Sequence, residues 1–542
     1  SGHFSLEDLF VIDGIVWAAG TAGRGDKYVG YDLKTGEQVK EYVNPIDAFY
    51  IHQRCHPGRA TCKYLLPASM GIPFVTLDEG DWEINHWVRG GCIYGILPAN
   101  GLTYAPPHAC ACYYQSKMNG FSALTTKDHA EGDAGLAKEP RLKKGPAFGK
   151  SKDAELNLAQ SWPTFRHDNS RTGSVDTSVP TAPNRAWTVD ISDNVSQATA
   201  GYGKLFACAV DEHTVFALDQ NTGKTEWTFT ADSRVDSPPT LYKGMAFFGS
   251  ADGNIYAVRA SDGKLCWKFR AQPRDLQMMS CNQLESVWPL SGSVLIQDGK
   301  LYTVAGRSMF LDGGLRMVIL KPETGELIAE NVMDNKVPGT DKNLQKLMTG
   351  KHMPVAQPDI LSSDGKYVYM KSQTFTMDGK RVRIRPQRPD TQYDKEVHLF
   401  SPISFLDDSW QHRTYWIYGR AAGEGWAEFQ LPPKRIAYGR IMCLDGDKAY
   451  AYARDPELIC NSSVNEYRLY CANKEPARKV GIPSLEGSKW PEGQYKADKS
   501  LARHTVDWQN LSKNPREKLT ALKYHWEDPT PDIMVKAMVM AG

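Results

Sequence analysis

The 542-residue chain has no long apolar segment and no excess of charge of either sign. No stretch approaches the roughly 20 consecutive apolar residues of a membrane-spanning helix, so the sequence predicts no membrane span. Its 64 Lys and Arg residues nearly balance its 63 Asp and Glu residues, which leaves a formal net charge of +1. Because nucleic acids bind concentrated basic surfaces, this balance argues against a nucleic-acid partner.

Two cysteine patterns are also missing. The chain has no adjacent Cys–Cys pair and no Cys-x-x-Cys-His sequence of the kind that attaches haem. It does contain 11 cysteines, five of which fall between Cys55 and Cys112. This local density is typical of an oxidising compartment, so we predict a secreted or periplasmic protein with disulfides. The chain begins Ser-Gly-His-Phe without a signal segment, which we interpret either as a processed start or as residues left by cloning.

A repeated turn motif is the clearest positive signal. An alternating strand leads into an Asp/Asn/Thr-Gly turn and a second strand follows, with the turn glycines at Gly36, Gly223, Gly263 and Gly325. Glycine supplies the positive φ angle that such a turn needs. Gly223 and Gly263 lie 40 residues apart, which is the period of a four-stranded propeller blade.

Further strands upstream carry their own turns, as at Gly244 and Gly299. Taken together, the repeat resembles the PQQ-binding-like β-propeller repeat of quinoproteins, well over about residues 8–42 and 186–330 and loosely elsewhere. The resemblance implies an all-β fold, a β-propeller with four-stranded antiparallel blades. The turn-and-strand units predict eight blades, with seven as the alternative. These units run near residues 8–45, 55–88, 90–125, 186–229, 230–270, 285–331, 355–425 and 436–475.

We predict a single propeller domain over residues 1–542. Two polar segments without periodicity, at about 126–160 and 476–530, are interpreted as irregular insertions. The apolar segment 533–541 is predicted to be a strand that joins the blade begun by Leu9–Asp13 and Ile15–Ala19. The reason is that a closed ring leaves no open sheet edge.

The family resemblance raises the question of a quinone cofactor. Quinoprotein dehydrogenases clamp pyrroloquinoline quinone (PQQ) between a Trp and a disulfide of adjacent cysteines, and hold calcium through Glu, Asn and Asp. The nearest feature here is Cys110-Ala-Cys112, which has the wrong spacing. The sequence therefore argues against PQQ and leaves the cofactor undetermined, with a bound metal ion as an alternative.

The cysteine-rich region has two interpretations. Cys and His at short spacing suit a soft or borderline metal, and both sulfurs of a Cys-x-Cys strand point to one face. The favoured alternative is a set of disulfides that join two irregular blades and also include Cys62 and Cys92. The candidate metal ligands are Cys55, His108, Cys110 and Cys112.

Three further segments combine polar, aromatic and glycine residues more densely than ordinary blade loops need. The first is 162–173, which is similar to the entry segment of quinoprotein-type propellers; the alternative interpretation is a structural lead-in whose Arg and Asp fix the chain. The second joins 282–289 to 305–314. The third is 398–418, for which the alternative is a buried ion-pair network.

Aromatic rings beside paired charges are typical of sugar-binding surfaces. We therefore predict a carbohydrate-active enzyme, a polysaccharide lyase that cleaves a uronic-acid glycan by β-elimination on the propeller axis. Its partner would be an acidic polysaccharide or oligosaccharide. The elimination needs a base, a cation against the carboxylate and an acid for the leaving oxygen. The predicted catalytic residues are His398 or His412 as base, Arg413 or Arg307 against the carboxylate, Tyr415 as acid, and His167. The predicted substrate-binding residues are Arg166, Glu285, Trp288, Asp312, Asp408 and Trp410.

Two other functions remain open from the sequence. One is a non-catalytic scaffold or binding propeller, like the outer-membrane assembly lipoproteins that use the same repeat. The other is an oxidoreductase that depends on a quinone or a metal. Fold alone does not distinguish them, because one fold hosts unrelated functions.

Overall fold

A computed structural model shows an antiparallel all-β protein. It describes residues 9–19, 27–45, 56–68, 71–92, 94–108, 118–126, 139–151, 154–347, 357–382, 384, 396–401, 405, 416–420, 436–454, 467–476 and 520–542. Helical structure in these ranges is limited to two short 3-10 turns, Leu158–Gln160 and Leu344–Leu347. No helix among the described residues has the length and apolarity to cross a membrane.

Three sheets form in the first part of the chain. Sheet 1 contains β1 (Leu9–Ile12), β2 (Ile15–Ala19), β3 (Lys27–Asp32) and β4 (Gln38–Val43). Sheet 2 contains β5 (Arg59–Ala60), β6 (Tyr64–Leu66), β7 (Phe74–Thr76) and β8 (Trp82–Glu83). Sheet 3 contains β9 (Leu97–Ala99), β10 (Leu102–Ala105) and β11 (Ser122–Leu124). Shared apolar clusters join sheet 1 to sheet 2 and sheet 2 to sheet 3.

The central region holds the most regular sheets. Two short strands, β12 (Leu142–Lys144) and β13 (Ser174–Val175), precede them. Sheet 4 contains β14 (Thr199–Gly201), β15 (Lys204–Ala209), β16 (Thr214–Asp219) and β17 (Thr225–Thr230). Sheet 5 contains β18 (Thr240–Tyr242), β19 (Met245–Gly249), β20 (Asn254–Arg259) and β21 (Leu265–Arg270), and β12 pairs with its outer edge. A separate hairpin of β22 (Gln277–Ser280) and β23 (Gln283–Ser286) follows. Sheet 6 contains β24 (Leu295–Gln297), β25 (Lys300–Ala305), β26 (Leu315–Leu320) and β27 (Leu327–Met333).

The remaining strands form three more sheets. Sheet 7 contains β28 (Leu361–Ser363), β29 (Val368–Met370) and β30 (Gln373–Phe375). Sheet 8 contains β31 (His398–Phe400), β32 (Trp416–Gly419) and β33 (Tyr438–Gly439). Sheet 9 contains β34 (Ile441–Asp445), β35 (Lys448–Arg454), β36 (Tyr467–Asn473) and β37 (Tyr524–Asp528), and β38 (Met540–Ala541) ends the chain. The predicted unit 355–425 thus spans all of sheet 7 and two strands of sheet 8.

The Trp and Gly positions of the repeat explain how consecutive sheets pack. The Trp227 indole N–H donates to Ala260 O at 3.0 Å, in the turn of the next sheet, and Trp267 donates to Pro322 O at 2.9 Å in the same way. A Cβ atom on Gly263 would lie only 2.6 Å from the Trp227 ring. The glycine therefore provides both the positive φ angle and the space for the Trp of the preceding sheet.

The first strands of successive sheets contact one another. Contacts run from β14 to β18, from β18 to β24, from β24 to β28 and from β28 to β31. Sheets that meet through their first strands and carry their later strands outwards have the arrangement of a propeller. The prediction of an all-β fold with four-stranded antiparallel sheets is confirmed, and the number of blades stays a prediction.

The predicted insertions contain strands that the sequence pattern did not reveal. Residues 142–144 lie within the segment 126–160, and they add a fifth strand to sheet 5 by pairing with Trp267–Phe269. Residues 524–528 lie within the segment 476–530, and they form the outer strand of sheet 9. Both are edge strands, whose partly exposed side chains weaken the alternating apolar pattern.

The predicted pairing of the C-terminal strand with sheet 1 is wrong. Met540–Ala541 pairs in parallel with Ser174–Val175, and the Met540 N–H donates to Gly173 O at 3.0 Å. Sheet 1 already has four strands of its own. The end of the chain is therefore fixed beside sheet 9 and not beside the first strands.

Deleting residues 540–542 should lower the free energy of unfolding by about 1 to 2 kcal/mol, because it removes two backbone hydrogen bonds of the parallel pair. These are the bonds from Met540 N–H to Gly173 O and from Gly542 N–H to Val175 O. Urea unfolding followed by tryptophan fluorescence measures the change. Met534→Ala, at an exposed position of the same segment, is the control and should behave like the parent. Equal unfolding midpoints for the deletion and the parent would contradict the prediction.

Candidate functional site

A single irregular segment, 162–174, lies at the centre of the sheets, and we call it the hub segment. Its backbone and side chains contact the first strands of sheets 4, 5, 6, 7 and 9. The contacts are Trp162 N–H to Ala200 O (2.8 Å), Leu241 N–H to Pro163 O (2.7 Å), Asn169 Nδ2 to Ile296 O (2.7 Å), Ser363 N–H to Asn169 O (2.8 Å) and Leu444 N–H to Thr172 O (2.9 Å). The Phe165 ring lies 4.9 Å from that of Phe405. The hub segment therefore ties distant sheets to one another.

Two guanidinium groups of the hub segment are held by neutral acceptors. Arg171 is fully buried and donates to Leu361 O at 2.8 Å and to Phe165 O and Thr164 Oγ1 at 2.9 Å. Arg166 Nε donates to Arg171 O at 2.7 Å, and its guanidinium stacks 4.3 Å from the Trp416 ring. Burial lowers the pKa of Arg171 to about 10, which leaves it protonated at neutral pH.

The backbone of the hub segment is strained. Arg166, His167 and Arg171 have φ angles of 57°, 75° and 62°, in the left-handed region that residues with a Cβ rarely adopt. Strain of this kind persists only where the surroundings fix it, and it concentrates at functional sites. Here the hydrogen bonds to the sheets hold the conformation.

His167 and Asp168 form a polar pair within this segment. His167 Nδ1 lies 3.9 Å from Asp168 Oδ2, and the proximity of the Asp168 carboxylate raises the pKa of His167. Burial would raise the pKa of Asp168, but the interactions with His167 and Thr172 outweigh it and lower that pKa. Asp168 is therefore ionised at neutral pH and orients both neighbours.

A polar cavity of about 260 Å³ lies between the hub segment and sheets 7, 8 and 9. Its walls include Asp168, Asp364, His398 and Lys474. His398 is buried, with Nδ1 at 2.9 Å from Glu396 O and Nε2 at 2.7 Å from Lys371 O, and its ring stacks 3.9 Å from that of Tyr369. Burial lowers the pKa of His398. A backbone carbonyl oxygen thus lies within hydrogen-bond distance of each ring nitrogen of His398.

A second cluster joins the loop before β18, strand β23 and the loop after β25, and we call it the charge network. Arg234 Nε donates to Asp236 Oδ1 at 2.5 Å, and its Nη1 donates to Glu285 Oε1. Arg307 Nη2 donates to the other oxygen of Glu285, also at 2.5 Å. Glu285 is 0% exposed, so two arginines neutralise one fully buried carboxylate. Burial raises the pKa of Asp236 although Arg234 opposes this effect.

The hairpin β22–β23 is anchored by this network. Besides Glu285, its Gln283 Oε1 lies 2.7 Å from His213 Nε2, and Leu284 O accepts a hydrogen bond of 3.0 Å from Ser233 Oγ. Its outer side nevertheless exposes Met279 (65%) and Leu284 (52%), which face each other across the two strands. The hairpin is a fixed element with an exposed apolar pair.

The structure brings together only part of the predicted site. Glu285 and Arg307 meet in the charge network, and the Trp288 indole N–H donates to Asp312 O at 3.1 Å close by. His398 instead lines the cavity beside the hub segment, whereas Arg307 does not. The described residues of the predicted site therefore lie in two separate places and not in one site on the propeller axis.

Many predicted residues fall outside the described ranges. These are Cys55, Cys110, Cys112, Asp408, Trp410, His412, Arg413 and Tyr415. His108 is described and packs against Gly91, and no group of three potential metal ligands occurs among the described residues. Cys62 is an exposed free thiol, so the structure does not place it in a disulfide.

Sequence reasoning missed several residues of both sites. Arg234 and Asp236 of the charge network were absent from the prediction, although an Arg-x-Asp pair just before a strand is a visible signal. Arg171 lies within the predicted segment 162–173, but the sequence analysis gave it no role of its own. Asp364 appears in the sequence as an ordinary turn residue, and only the structure shows that it lines a cavity.

Comparisons with known proteins agree with the repeat. Residues 171–380 match the family model of the outer membrane protein assembly factor BamB. A quinoprotein alcohol dehydrogenase, PedH from Pseudomonas putida, is 28% identical over 148 residues, which cover 26% of this chain and 21% of that protein. BamB from Burkholderia pseudomallei is 28% identical over 108 residues, which cover 20% of this chain and 28% of that protein. The chain therefore matches less than a third of the length of these relatives.

A solved structure shows a more distant likeness. A quinohemoprotein alcohol dehydrogenase from Pseudomonas putida aligns with a TM-score of 0.36 and 12% identity, over 59% of this chain and 58% of that chain. The resemblance to the PQQ-like repeat family is confirmed by the family model and the relatives in sequence.

The prediction of a polysaccharide lyase with a carbohydrate-binding site is wrong. The relatives are named as quinoprotein dehydrogenases and as BamB, and neither name involves a polysaccharide. The roles given to His398 and Arg307 in the β-elimination are withdrawn together with the lyase prediction. The ring nitrogens of His398 already contact two backbone carbonyls, and Arg307 is paired with the buried Glu285.

Proposed function

We propose that this chain is a non-catalytic binding propeller of a secreted or periplasmic compartment, which binds a partner protein through the hairpin β22–β23. The match to a family described as an outer membrane protein assembly factor supports both the type of protein and the compartment. The observation that carries the proposal is the exposed pair Met279–Leu284 on a hairpin fixed by buried charges.

Rigidity is what makes this apolar pair informative. A flexible loop could fold Met279 and Leu284 against the surface, but hydrogen bonds and ion pairs on both sides hold this hairpin in place. Rigid apolar anchors are the usual energetic centres of protein interfaces, because little conformational entropy is lost when they bind. The hairpin therefore has the properties of one half of an interface.

The rim of this surface indicates the chemistry of the partner. Asp193, Asp211 and Glu212 are exposed, and the rim contacts the hairpin directly because Gln283 Nε2 donates to Asp211 O at 3.1 Å. An apolar centre with an acidic rim is complementary to an apolar segment flanked by Lys or Arg. The partner would be a protein segment with that composition.

Photo-crosslinking from position 284 tests the proposal. A benzoylphenylalanine at Leu284 should give a discrete partner adduct in the cells that make the protein, whereas the same group at the exposed Ile533 should not. The double substitution Met279→Glu and Leu284→Glu should weaken binding of the identified partner at least tenfold, or about 1.4 kcal/mol or more. Unchanged affinity, or equal adducts from both positions, would refute the proposal.

We also propose that residues 1–542 form one propeller domain. The succession of contacts between first strands supports a ring around the hub segment. The count of eight blades comes from the turn spacing, and an experimental structure of the chain tests it.

A second candidate is a quinone-dependent oxidoreductase, which the similarity to quinoprotein alcohol dehydrogenases favours. PQQ is a planar tricarboxylate and needs cationic groups around it. The cavity beside the hub segment carries two carboxylates, Asp168 and Asp364, and the arginines of the charge network are already paired with Glu285. Neither of these two sites therefore presents the cluster of free cationic groups that PQQ needs. Titration of the purified protein with PQQ and Ca²⁺, read by absorption and dye reduction, distinguishes the two candidates.

A further inference from the structure

We propose that this chain associates head to tail with a second copy of itself, through Trp526 on sheet 9 of one copy and the turn that ends at Gly36 on sheet 1 of the other. This surface is separate from the hairpin β22–β23, and the proposal does not depend on the proposed function. It rests on a contact that recurs between the sheets and on the two places where one half of that contact is unfilled.

The recurring contact has a constant geometry, and we call it the ring–turn contact. The Trp227 and Trp267 indoles each donate to the carbonyl oxygen three positions before a turn glycine and pack over that glycine. Trp187 repeats the arrangement, because its indole donates to Gln220 O at 3.1 Å. A Cβ atom on Gly223, three positions after Gln220, would lie 2.5 Å from the Trp187 ring. An aromatic ring and a turn of this type are therefore complementary surfaces.

Sheets 1 and 2 use the same contact with a tyrosine in place of the tryptophan. The Tyr42 hydroxyl donates to Leu77 O at 2.5 Å, three positions before Gly80. The Tyr42 ring occupies the space that a Cβ atom on Gly80 would need. The contact thus depends on the ring and on the turn, and it joins sheets in both parts of the chain.

The turn of sheet 1 that ends at Gly36 has no ring over it. Asp32 Oδ1 accepts two backbone N–H groups of this turn at 2.9 and 2.8 Å, and Gly36 has a φ angle of 73°, against 71° for Gly223. Apart from its chain neighbours, no described residue has an atom within 4 Å of the Cβ position of Gly36. The carbonyl oxygen three positions before Gly36 belongs to Leu33. The turn of sheet 1 is therefore an unfilled half of a ring–turn contact.

The face of sheet 1 beside this turn is apolar and exposed. Val11, Val16 and Tyr31 lie side by side across three strands, on the face opposite the one that packs against sheet 2. Val11 is 60% exposed, and Leu9, on the same face, is 67% exposed. In sheets 5 and 6, an apolar cluster shared with the preceding sheet covers the corresponding face. Sheet 1 thus presents the surface on which a preceding sheet packs.

Trp526 is the unfilled ring on sheet 9. It is the third residue of the outer strand β37, as Trp227 and Trp267 are the third residues of β17 and β21. The register is also the same, because each of the three pairs with a residue that adjoins a β-bulge. Trp526 is nevertheless 50% exposed, whereas Trp227 is 9% and Trp267 is 0% exposed. Its ring lies 6.4 Å from that of Tyr450, on the face opposite the core that sheets 8 and 9 share.

The two unfilled halves do not meet within one chain, because sheet 1 is fixed elsewhere. Sheet 1 packs on sheet 2, and the residues that follow β8 are fixed to the loops after β25 and β27. There the Trp87 ring stacks 6.0 Å from that of Phe310, and the His86 N–H donates to Gln345 Oε1 at 2.7 Å. A second copy supplies the missing half at each end. Since the two halves differ, the contact is heterologous and can repeat along a row of copies.

Sedimentation velocity of the purified chain over a range of concentrations tests the association. The parent should form species larger than the monomer, in a proportion that rises with concentration. Trp526→Ala removes the ring and Val11→Glu places a charge on the apolar face of sheet 1, so each should weaken self-association at least tenfold. Both positions are exposed in the single chain, so urea unfolding of the two variants should match that of the parent. Val332→Glu, at a 48% exposed position of sheet 6, is the matched control and should associate like the parent.

A mixture of the two variants separates a missing contact from a folding defect. The Trp526→Ala variant keeps the turn surface, and the Val11→Glu variant keeps Trp526. An equimolar mixture should therefore form dimers that cannot grow further, although each variant alone stays monomeric. A parent that stays monomeric at every concentration, or a mixture that forms no dimers, would overturn the proposal.

The hairpin substitutions distinguish this association from partner binding. The double substitution Met279→Glu and Leu284→Glu should leave self-association unchanged, because neither residue belongs to sheet 1 or sheet 9. Loss of self-association in that variant would assign the contact to the hairpin β22–β23 and would refute the role of Trp526 and the turn at Gly36.

Discussion

Replacing Arg171 by Met is expected to lower the free energy of unfolding by about 3 to 4 kcal/mol. Met fills a similar volume but leaves the buried acceptors Leu361 O, Phe165 O and Thr164 Oγ1 without a donor. Each buried acceptor that loses its partner destabilises by about 1 to 3 kcal/mol, partly offset because a charge is no longer buried. Urea unfolding of the purified variant measures the difference.

Two controls make this result specific to the hub segment. Arg185→Met removes an exposed arginine and should change stability by less than about 0.5 kcal/mol. Arg171→Lys keeps the charge but not the planar fork, so it should remain clearly less stable than the parent. If Arg171→Lys unfolded like the parent, the charge and not the set of hydrogen bonds would be what holds the sheets together.

Replacing Glu285 by Ala is expected to lower the free energy of unfolding by about 3 to 5 kcal/mol, because removal of one partner leaves buried charge without compensation. Arg234 would keep Asp236, whereas Arg307 would lose the carboxylate with which it pairs. Hydrogen exchange of residues 277–286 should become faster relative to that of sheet 5, since Glu285 anchors the hairpin. Denaturant unfolding together with hydrogen exchange measures both effects.

Glu326→Ala is the matched control, because Glu326 forms only an exposed ion pair with Lys321. Exposed pairs contribute about 0 to 1 kcal/mol, so this variant should stay close to the parent. The double substitution Glu285→Met and Arg307→Met should recover part of the stability lost in Glu285→Ala, because it also removes the guanidinium that is left without its carboxylate. Uniform exchange across the chain after Glu285→Ala would contradict an anchoring role for this residue.

These two predictions concern different sets of stabilising contacts, the hydrogen bonds of Arg171 and the ion pairs of Glu285. Arg171 acts between sheets through neutral acceptors, and Glu285 fixes the hairpin β22–β23 through opposite charges. A change at the hub segment should therefore lower global stability, whereas a change in the charge network should also alter the hairpin locally. Partner crosslinking from position 284 should follow the second change more closely than the first.

Much of the fold could be predicted from the turns. Gly223, Gly263 and Gly325 mark the turns of three consecutive sheets, and the structure places each of them at positive φ. The edge strand at 142–144 and the division of the unit 355–425 were not predicted, because short strands without a complete alternating pattern give little signal. The C-terminal pairing was assigned to the wrong sheet, since sequence does not indicate which distant edge a strand will join.

The sites were predicted less well than the fold. Glu285 and Arg307 were chosen for a common site, and the structure joins them, but with Arg234 as a third member that the sequence analysis did not select. His398 was chosen for a free imidazole, and the structure shows both of its nitrogens bound. Residue type indicates what a side chain can do, whereas burial and neighbours decide what it does.

The sequence by itself determined the all-β class and the period of the sheets, because each strand–turn–strand unit is encoded by residues that follow one another in the chain. Only the tertiary structure decided the hub segment, the charge network and the exposed hairpin. Arg171 and Leu361 are 190 positions apart in the chain, and Arg234 and Glu285 are 51 apart. Contacts over such distances form only after the sheets have packed, and no local pattern of residues encodes them.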